Sequence, residues 1–429
     1  MFATDASSPD APDPGWVAVI STDGDFRSSV QQALSDDALP LQLALAIDCP
    51  FSAVGEMERS ELERTGPELA LVDLESDPER GMAFIEELLE SGDVGGVVAA
   101  GRDLSHEFLL RALQAGVMEV LAKPLDHMDV REALQRVLRR GGRLPAPRGE
   151  EREKERTRRG RILALMGAKG GVGTTALATN LAVEIHRITE ERVLLLDLDL
   201  EQGETGILLG MEPRFSLLEL LRNYDPLVSS LLAACIDHHE ASGIDLLAAP
   251  LQMAPMEAED LKLVSGSRMK EVMGFLREHY DYVVVDRPRT FHPAFNQVLE
   301  EADERYLVTT PDLQALRNVT RSLPLLQRAS GSGENDSVRM VVNRFPPDAP
   351  ISLDEISRTV GLEVYHSLGA DFFPINESIH ERTPAVMREA SQYSRDVLAL
   401  AGKITGTQVT KEPRRSLFGG LMDVVRKRS

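Results

Sequence analysis

Short apolar runs alternate with stretches whose apolar residues recur every three or four positions. The runs are typical of strands buried on both faces, and the stretches between them, such as HEFLLRALQAG and DVREALQRVLRR, are typical of amphipathic helices. On the N-terminal side, strands are predicted at 16–21, 41–46, 69–74, 96–101 and 119–124. Regular β-α alternation of this kind predicts a doubly wound parallel sheet.

The C-terminal side repeats the pattern on a larger scale. Its strands are predicted at 161–167, 192–200, 244–250, 280–286, 304–310, 338–345 and 361–368. The predicted fold class is therefore α/β, with two doubly wound parallel-sheet domains at 15–139 and 161–405.

Three segments show neither the apolar runs of strands nor the three-to-four-residue apolar spacing of helices. Residues 1–14 are rich in Pro, Asp, Ala and Ser, which predicts a disordered lead. Residues 140–160 begin with Pro and Gly and continue with dense mixed charge, which predicts a linker. Residues 406–429 end in a basic amphipathic tail, RRSLFGGLMDVVRKRS. This tail suits either an anionic lipid surface or a groove on a partner protein.

Composition narrows the class of protein. The chain has 429 residues, 47 basic and 69 acidic, and a net charge of −22, so no specific binding to nucleic acid is expected. Two cysteines, Cys49 and Cys235, are too few for a disulfide framework or a four-thiolate metal site, which fits a reducing compartment. Without a secretory pattern or an apolar run of about 18 residues, a cytoplasmic protein is expected.

A glycine-rich loop, GAKGGVGTTALATN, follows the first strand of the C-terminal side and leads into a helix. Backbone N–H groups of Gly171, Val172, Gly173 and Thr174 can cradle phosphates there with the helix dipole behind them. Thr175 takes the hydroxyl position that ligates Mg²⁺ in such loops. Thr174, however, stands where the ordinary loop has a lysine.

Carboxylates end two of the predicted strands. LLLDLDLEQG places Asp197 and Asp199 after one strand, and YDYVVVDRP ends another on Asp286. The carboxyl edge of a parallel sheet is where ligands bind, so these side chains are candidates for a phosphate-metal site. Arg287 and Arg289 follow at once; they either compensate for the missing lysine or, as the preferred interpretation, are solvated surface arginines.

Together, KGGVGTT, DLDLEQG and YDYVVVD resemble the deviant Walker A ATPases of the ParA/MinD superfamily. The absent second lysine, with a degenerate receiver-like domain in front, is more narrowly similar to the CpaE/TadZ family of Flp (tight adherence) pilus assembly proteins. The resemblance spans about residues 15–405 and includes four softer segments: EEADERYLVTTPDLQALRNVTR, VVNRF, ISLDEISRTVGL and INESIHERTP.

The resemblance implies ATP and Mg²⁺ as cofactors and assigns roles to residues. Lys169 corresponds to the signature lysine that crosses the interface of an ATP-dependent homodimer, and Asp199 to the residue that orients the attacking water. Asp286 corresponds to the Walker B carboxylate. The implied nucleotide-binding residues are Lys169, Gly170, Gly171, Val172, Gly173, Thr174, Thr175 and Asn343, with Asn343 on adenine; the implied Mg²⁺ residues are Thr175, Asp197 and Asp286.

The implied function is a dimeric localisation or assembly factor for a Flp-type pilus or a related secretion machine. Its partners would be pilus or secretion assembly proteins, and its place the cytoplasm, the inner membrane periphery or a cell pole. Loss of one phosphate-facing ammonium predicts slow ATP hydrolysis or ATP binding alone. Two alternatives stay open: a nucleotide-independent docking scaffold, and a ParA-like partition or MinD-like positioning ATPase.

The N-terminal domain resembles a response-regulator receiver domain, because Asp73 ends its third strand and Lys123 follows its fifth. A working receiver needs an acidic pair after the first strand to hold Mg²⁺, and the matching positions here are Ser21 and Thr22. The fourth strand ends in Ala100 instead of Ser or Thr. We therefore expect a docking or self-association module in which Asp73 and Lys123 form an ion pair, rather than a phosphorylated switch.

The sequence argues against two kinds of metal site, a histidine-cysteine site and a bridging iron–sulfur cluster. His238 and His239 follow Cys235, but neighbours on a helix point about 100° apart and the surrounding residues read as polar surface. The nitrogenase-reductase relatives need two cysteine ligands per subunit for a bridging iron–sulfur cluster, and Cys49 lies in the other predicted domain.

Overall fold

The computed structural model describes residues 15–35, 39–102, 104–143, 159–223, 229–250, 257–290, 292–329, 338–388 and 390–408. The chain divides into two compact units. The first comprises Met1–Arg148 and Asn223–Ala234, and the second Gly149–Arg222 and Cys235–Ser429.

The first unit is built on five parallel strands. They are β1 (Gly15–Ile20), β2 (Leu41–Ile47), β3 (Leu69–Asp73), β4 (Val97–Gly101) and β5 (Val117–Ala122). Its helices are α1 (Gly24–Leu34), α2 (Glu56–Thr65), α3 (Pro78–Ser91), α4 (His106–Gln114) and α5 (His127–Arg143).

Helices cover both faces of this sheet, whose strand order is β2-β1-β3-β4-β5. One apolar core joins the sheet to α1 and α5, and the other joins it to α2, α3 and α4. This is the strand order of flavodoxin-like doubly wound folds, which put their ligand sites at the carboxyl ends of the strands.

The later part of the chain supplies eight strands. They are β6 (Arg161–Gly167), β7 (Val193–Asp197), β8 (Ile236–His239), β9 (Ile244–Leu247), β10 (Tyr282–Arg287), β11 (Glu304–Thr309), β12 (Val338–Phe345) and β13 (Val364–Gly369). The helices are α6 (Thr174–Thr189), α7 (Thr205–Leu209), α8 (Leu217–Asn223), α9 (Ser229–Ala234), α10 (Ala258–Val264), α11 (Ser267–His279), α12 (Asn296–Glu301), α13 (Leu313–Ala329), α14 (Leu353–Val360), α15 (Phe372–His380) and α16 (Gln392–Thr405).

These eight strands form the single sheet of the second unit, in the order β13-β12-β11-β6-β10-β7-β9-β8. All neighbours are parallel except β8 and β9. Helix α6 is buried from Leu177 to Ile185 between the sheet and α16, and this packing places its N-terminus at the carboxyl edge beside β6, β10 and β7.

The strand predictions are confirmed in number and place on the N-terminal side, with β5 beginning two residues earlier than expected. On the C-terminal side all seven are present, and the structure adds β8, which the sequence pattern missed. The sequence interpretation treats residues 236–239 as helical, but they form an antiparallel edge strand whose side chains alternate between faces. The helix argument about His238 and His239 is therefore wrong.

The short helix α9 belongs to the first unit although it lies between elements of the second in the chain. It packs against α4 and β5, with Leu231 and Leu232 buried. The periodicity of the sequence gives no sign of this excursion.

The structure bears on only part of the predictions for the lead, the linker and the tail. Helix α5 extends to Arg143, into the span predicted as a linker, because the first proline of that span, Pro145, comes only after it in the sequence. The predicted lead at 1–14, residues 144–158 and the tail from 409 onward lie outside the described residues. Within the described parts of the chain, no helix combines the length and the apolarity needed to cross a membrane.

Candidate functional site

The glycine-rich loop joins β6 to the N-terminus of α6. Gly171 and Gly173 adopt left-handed backbone angles, with φ of 76° and 88°, which favour glycine. A Cβ on Gly173 would lie 2.6 Å from Nδ2 of Asn343. A side chain at this position would therefore also collide with Asn343, near the carboxyl end of β12. The loop therefore depends on glycine, and it places the unpaired N–H groups at the start of α6 where an anion can be bound.

Two carboxylates face each other beside this loop, at the ends of adjacent strands. Asp286 on β10 pairs in register with Asp197 on β7, and both are buried, at 2% and 1% exposed. Burial raises the pKa of Asp197 to about 6. Burial, followed by the negative charge of Asp197, raises the pKa of Asp286 well above its usual value.

A network of donors fixes Asp197. Its Oδ2 accepts from the Thr205 hydroxyl at 2.7 Å, and its Oδ1 accepts from the backbone N–H of Asp199 at 2.9 Å. Asp199 itself is half-buried, and its Oδ1 accepts from the backbone N–H of Gln202 at 3.2 Å. Burial also raises the pKa of Asp199. These contacts hold the loop after β7 against the carboxyl edge of the sheet.

This donor set fits a magnesium ion. A buried carboxyl whose pKa is raised by burial and by neighbouring carboxylates indicates a place where a cation would be stabilising, and hard carboxylate and hydroxyl oxygens are the ligands Mg²⁺ prefers. The Thr175 hydroxyl donates to Asp286, so the residues that would hold the ion are Thr175, Asp197 and Asp286. A bound Mg²⁺ would neutralise negative charge on a nucleotide's phosphates.

Lys169 is engaged elsewhere. Its Nζ forms an ion pair with Oδ2 of Asp312 at 2.8 Å, just after β11. Desolvation raises the pKa of Asp312, but the hydrogen bonds from Lys169 and Thr310 outweigh it and hold that pKa at about 2. The carboxylate is thus ionised throughout the physiological range. The sequence indicates the lysine but not this partner, which lies far away along the chain.

Asn343 supports the glycine-rich loop from β12. It is 2% exposed, its Nδ2 donates to the carbonyl of Val172 at 2.7 Å, and its Oδ1 accepts from the backbone N–H of Arg344 at 2.9 Å. One amide hydrogen and one lone pair remain for another partner. The contact with adenine implied by the resemblance stays a prediction.

Comparison with known proteins agrees with this geometry. A family model described as an AAA domain, AAA_31, matches residues 160–339. The septum site-determining protein MinD of Thermotoga maritima is 27% identical over 260 residues, covering 59% of this chain and 91% of that protein. MinD of Bacillus subtilis is 25% identical over 269 residues, covering 61% and 96%.

A solved structure of a ParA family ATPase is also similar to this chain in fold. The ParA family ATPase from Chlorobium tepidum is similar with a TM-score of 0.50 and 26% identity, covering 56% of this chain and 98% of that one. These matches support a P-loop ATPase of the ParA/MinD superfamily as what the second unit is similar to. The superfamily-level resemblance seen in the loop and strand motifs is confirmed, and the AAA_31 match begins at residue 160, after the five strands of the first unit.

The ParA/MinD-type domain also contains a buried cation that the sequence interpretation misplaced. Arg287 is 2% exposed, so its description as a solvated arginine is wrong, whereas Arg289 is exposed. Nη1 of Arg287 donates to Sδ of Met166 at 2.7 Å, and the Arg287 guanidinium lies 5.9 Å from the centre of the Phe295 ring. Nε and Nη2 have no hydrogen-bond partner in the described part of the chain. Burial lowers the pKa of Arg287 to about 10.

Arg287 cannot replace the missing lysine from this position. Successive residues of a strand point to opposite faces, so Arg287 lies on the face opposite Asp286. The sequence signal was present, because the arginine directly continues the buried run YVVVD and β10 includes it.

The two histidines of the ParA/MinD-type domain have ordinary polar partners. Nδ1 of His238 lies 2.6 Å from Oδ1 of Asp245, and Nδ1 of His239 lies 2.6 Å from Oγ of Ser242. Within the described ranges, no group of three or more His, Cys, Asp or Glu residues could hold a metal ion.

In the first unit, the receiver-like positions meet in one charged cluster. Lys123 donates to Asp73 at 2.9 Å, to Asp23 at 2.7 Å and to Glu75 at 3.1 Å. The Ser21 hydroxyl donates to the same oxygen of Asp73 at 2.6 Å. Desolvation lowers the pKa of Lys123, but the three carboxylates outweigh it and raise the pKa overall. The expected ion pair is present, and Glu75 is a member that the sequence did not reveal.

We expect this cluster to resist phosphorylation. Asp73 Oδ2 is already occupied by Ser21 and Lys123, and the position that should supply a metal-binding carboxylate holds a hydroxyl. Incubation of the full chain with acetyl phosphate and Mg²⁺ should leave Asp73 unmodified by mass spectrometry. The double variant Ser21→Asp with Thr22→Asp is the matched control and should acquire Mg²⁺-dependent beryllofluoride binding. Stoichiometric phosphorylation of the wild type would contradict the prediction.

Proposed function

We propose that this protein is a Mg·ATP-dependent dimeric switch that positions or assembles a partner. The observation that carries the proposal is the meeting of a glycine-dependent loop with two carboxylates, Asp197 and Asp286, whose pKa values are raised by burial. A purely structural role would not require buried, mutually repelling acids, because such a pair costs folding free energy.

The proposed roles follow the site. Backbone N–H groups of residues 170–175 bind the phosphates, and Asp286, Asp197 and Thr175 hold Mg²⁺. Asp199 orients water for slow hydrolysis, and Lys169 meets the nucleotide of a second copy. Asn343 contacts adenine.

Isothermal titration of the full-length protein with Mg·ATP tests the nucleotide site. We expect binding that weakens at least tenfold when EDTA removes the metal. Asp286→Asn should lose this metal dependence, since it removes the buried charge that would meet the cation. Asp354→Asn, an exposed carboxylate on α14, is the matched control and should bind as the wild type does. Absence of Mg·ATP binding by the wild type would favour a nucleotide-independent scaffold.

We further propose assembly of a Flp-type pilus or related secretion machine as the cellular task. Its support is the order of the chain, a receiver-like unit with Ser21 and Thr22 at the acidic positions followed by an ATPase domain that has Thr174 in place of the second lysine. The MinD relatives, named for septum site determination, support division-site or cargo positioning equally well. Deleting the gene and counting surface pili by electron microscopy, beside septum placement, separates the two: lost pili with normal septa support pilus assembly.

The basic tail is proposed as a peripheral attachment segment. Its charge contrasts with the acidic body, and a single short amphipathic helix binds lipid marginally, so two tails in a dimer should bind with greater avidity. Cosedimentation with anionic vesicles should increase with Mg·ATP and be lost when the chain ends at residue 412. Equal sedimentation of the shortened chain would exclude the tail and direct attention to protein partners.

A further inference from the structure

Arg344 adopts a backbone conformation that arginine rarely takes. Its φ is 54°, in the left-handed region, where a residue with a Cβ is strained by about 1–2 kcal/mol. The strand pairing between β12 and β13 loses its register between Val342 and Phe345, around this residue. Irregularities of this kind redirect a side chain, and they are common beside functional sites.

The redirected side chain lies against the glycine-rich loop. A Cβ built on Gly173 would be 4.0 Å from Nη2 of Arg344, which places the guanidinium next to the loop backbone. Arg344 is exposed, and in the described ranges its side chain makes neither an ion pair nor a hydrogen bond. Lys169, the other cation of the loop region, is already paired with Asp312. A strained, unpaired cation is thus held beside a loop that lacks its usual lysine.

We infer that Arg344 supplies the phosphate-facing positive charge that Thr174 cannot, and so acts as a nucleotide-binding residue for the polyphosphate. The inference rests on the proposed function, because it requires that the loop bind a nucleotide. Guanidinium groups bind phosphate oxygens through two parallel N–H donors, and they remain charged at all relevant pH values. The position against Gly173 favours the phosphates over the base, because the N–H of Gly173 belongs to the phosphate cradle.

Comparing ligands with different numbers of phosphates tests the assignment. Full-length wild type, Arg344→Ala and Arg344→Lys are titrated with Mg·ATP, AMP and adenosine. Arg344→Ala should weaken Mg·ATP binding about tenfold or more, because a charge-assisted hydrogen bond is lost. Adenosine should bind all three proteins within about twofold. Arg344→Lys should retain part of the Mg·ATP affinity.

Arg344→Gly separates the charge from the fold. Glycine accepts the left-handed angle without strain, so this variant should melt no lower than the wild type while losing the same Mg·ATP affinity as Arg344→Ala. Thr174→Lys placed in the Arg344→Ala background should restore Mg·ATP binding by a larger factor than it gains in the wild type, because the two cations would serve the same charge.

Each alternative has its own outcome. Equal losses for adenosine and Mg·ATP in Arg344→Ala would assign the guanidinium to stacking on the base and overturn the inference. Unchanged Mg·ATP affinity in Arg344→Ala and Arg344→Gly would overturn it as well. A wild type that binds no Mg·ATP would refute the proposed function first and this inference with it.

Discussion

Replacing Lys169 with alanine should abolish Mg·ATP-dependent dimerisation while leaving the monomer folded. The Lys169 side chain is about a quarter exposed and its only described ion pair is with Asp312, so the core loses nothing. The facing nucleotide would lose a compensating charge in a dry interface, where such charges count most. Sedimentation velocity with and without Mg·ATP measures the effect, with Lys262→Ala on α10 as a control for loss of one exposed lysine.

The Asp312 ion pair predicts the opposite change. Asp312→Asn should release Lys169 and lower the Mg·ATP concentration needed for dimerisation by about two- to fivefold, since a partly exposed pair contributes about 0.5–1 kcal/mol. The double variant should resemble Lys169→Ala alone. Dimerisation of Lys169→Ala at wild-type Mg·ATP concentrations would show that this lysine does not cross an interface. The hypothesis of a nucleotide-independent docking scaffold would then be preferred.

Replacing Arg287 with methionine should stabilise the second unit. The two unpartnered donors of Arg287 lost their water when the side chain was buried, and each such donor costs about 1–3 kcal/mol. Methionine fills a similar volume beside Met166 and Phe295 without that cost. We expect the free energy of unfolding to rise by about 1–3 kcal/mol, measured by urea denaturation followed by circular dichroism.

Arg289 provides the matched comparison, because it lies two residues away but is exposed. Arg289→Met should change the free energy of unfolding by less than about 0.5 kcal/mol. A loss of stability in Arg287→Met comparable to a buried ion-pair deletion would show that the guanidinium has an anionic partner in the folded protein.

The sequence was sufficient where one local pattern determines the structure. Strands buried on both faces appear as unbroken apolar runs, so β6, β7 and β10 could be placed, and the glycine pattern identified the loop before α6. Parallel strands share a carboxyl edge, so the proximity of Asp197 and Asp286 followed from their strand-end positions. These features need only short-range information and the general geometry of α/β folds.

Features that depend on distant partners could not be predicted. The partner of Lys169 is 143 residues away, the strained backbone of Arg344 depends on an irregular pairing with β13, and Arg287 is buried by residues on other elements. Edge strand β8 was missed for a different reason. Its sequence, IDHH, is short and half polar, so its pairing with β9 rather than its own periodicity makes it a strand.

Helix α9 has a practical consequence for dissecting this protein. Cutting the chain between the two predicted domains would leave α9 on the C-terminal fragment, while the surface it packs on, α4 and β5, would remain on the N-terminal fragment. Leu231 and Leu232 would then be exposed to water on one fragment, and the apolar residues of α4 and β5 that they cover would be exposed on the other. Separately expressed halves should therefore tend to aggregate, and mixing them should restore solubility by complementation.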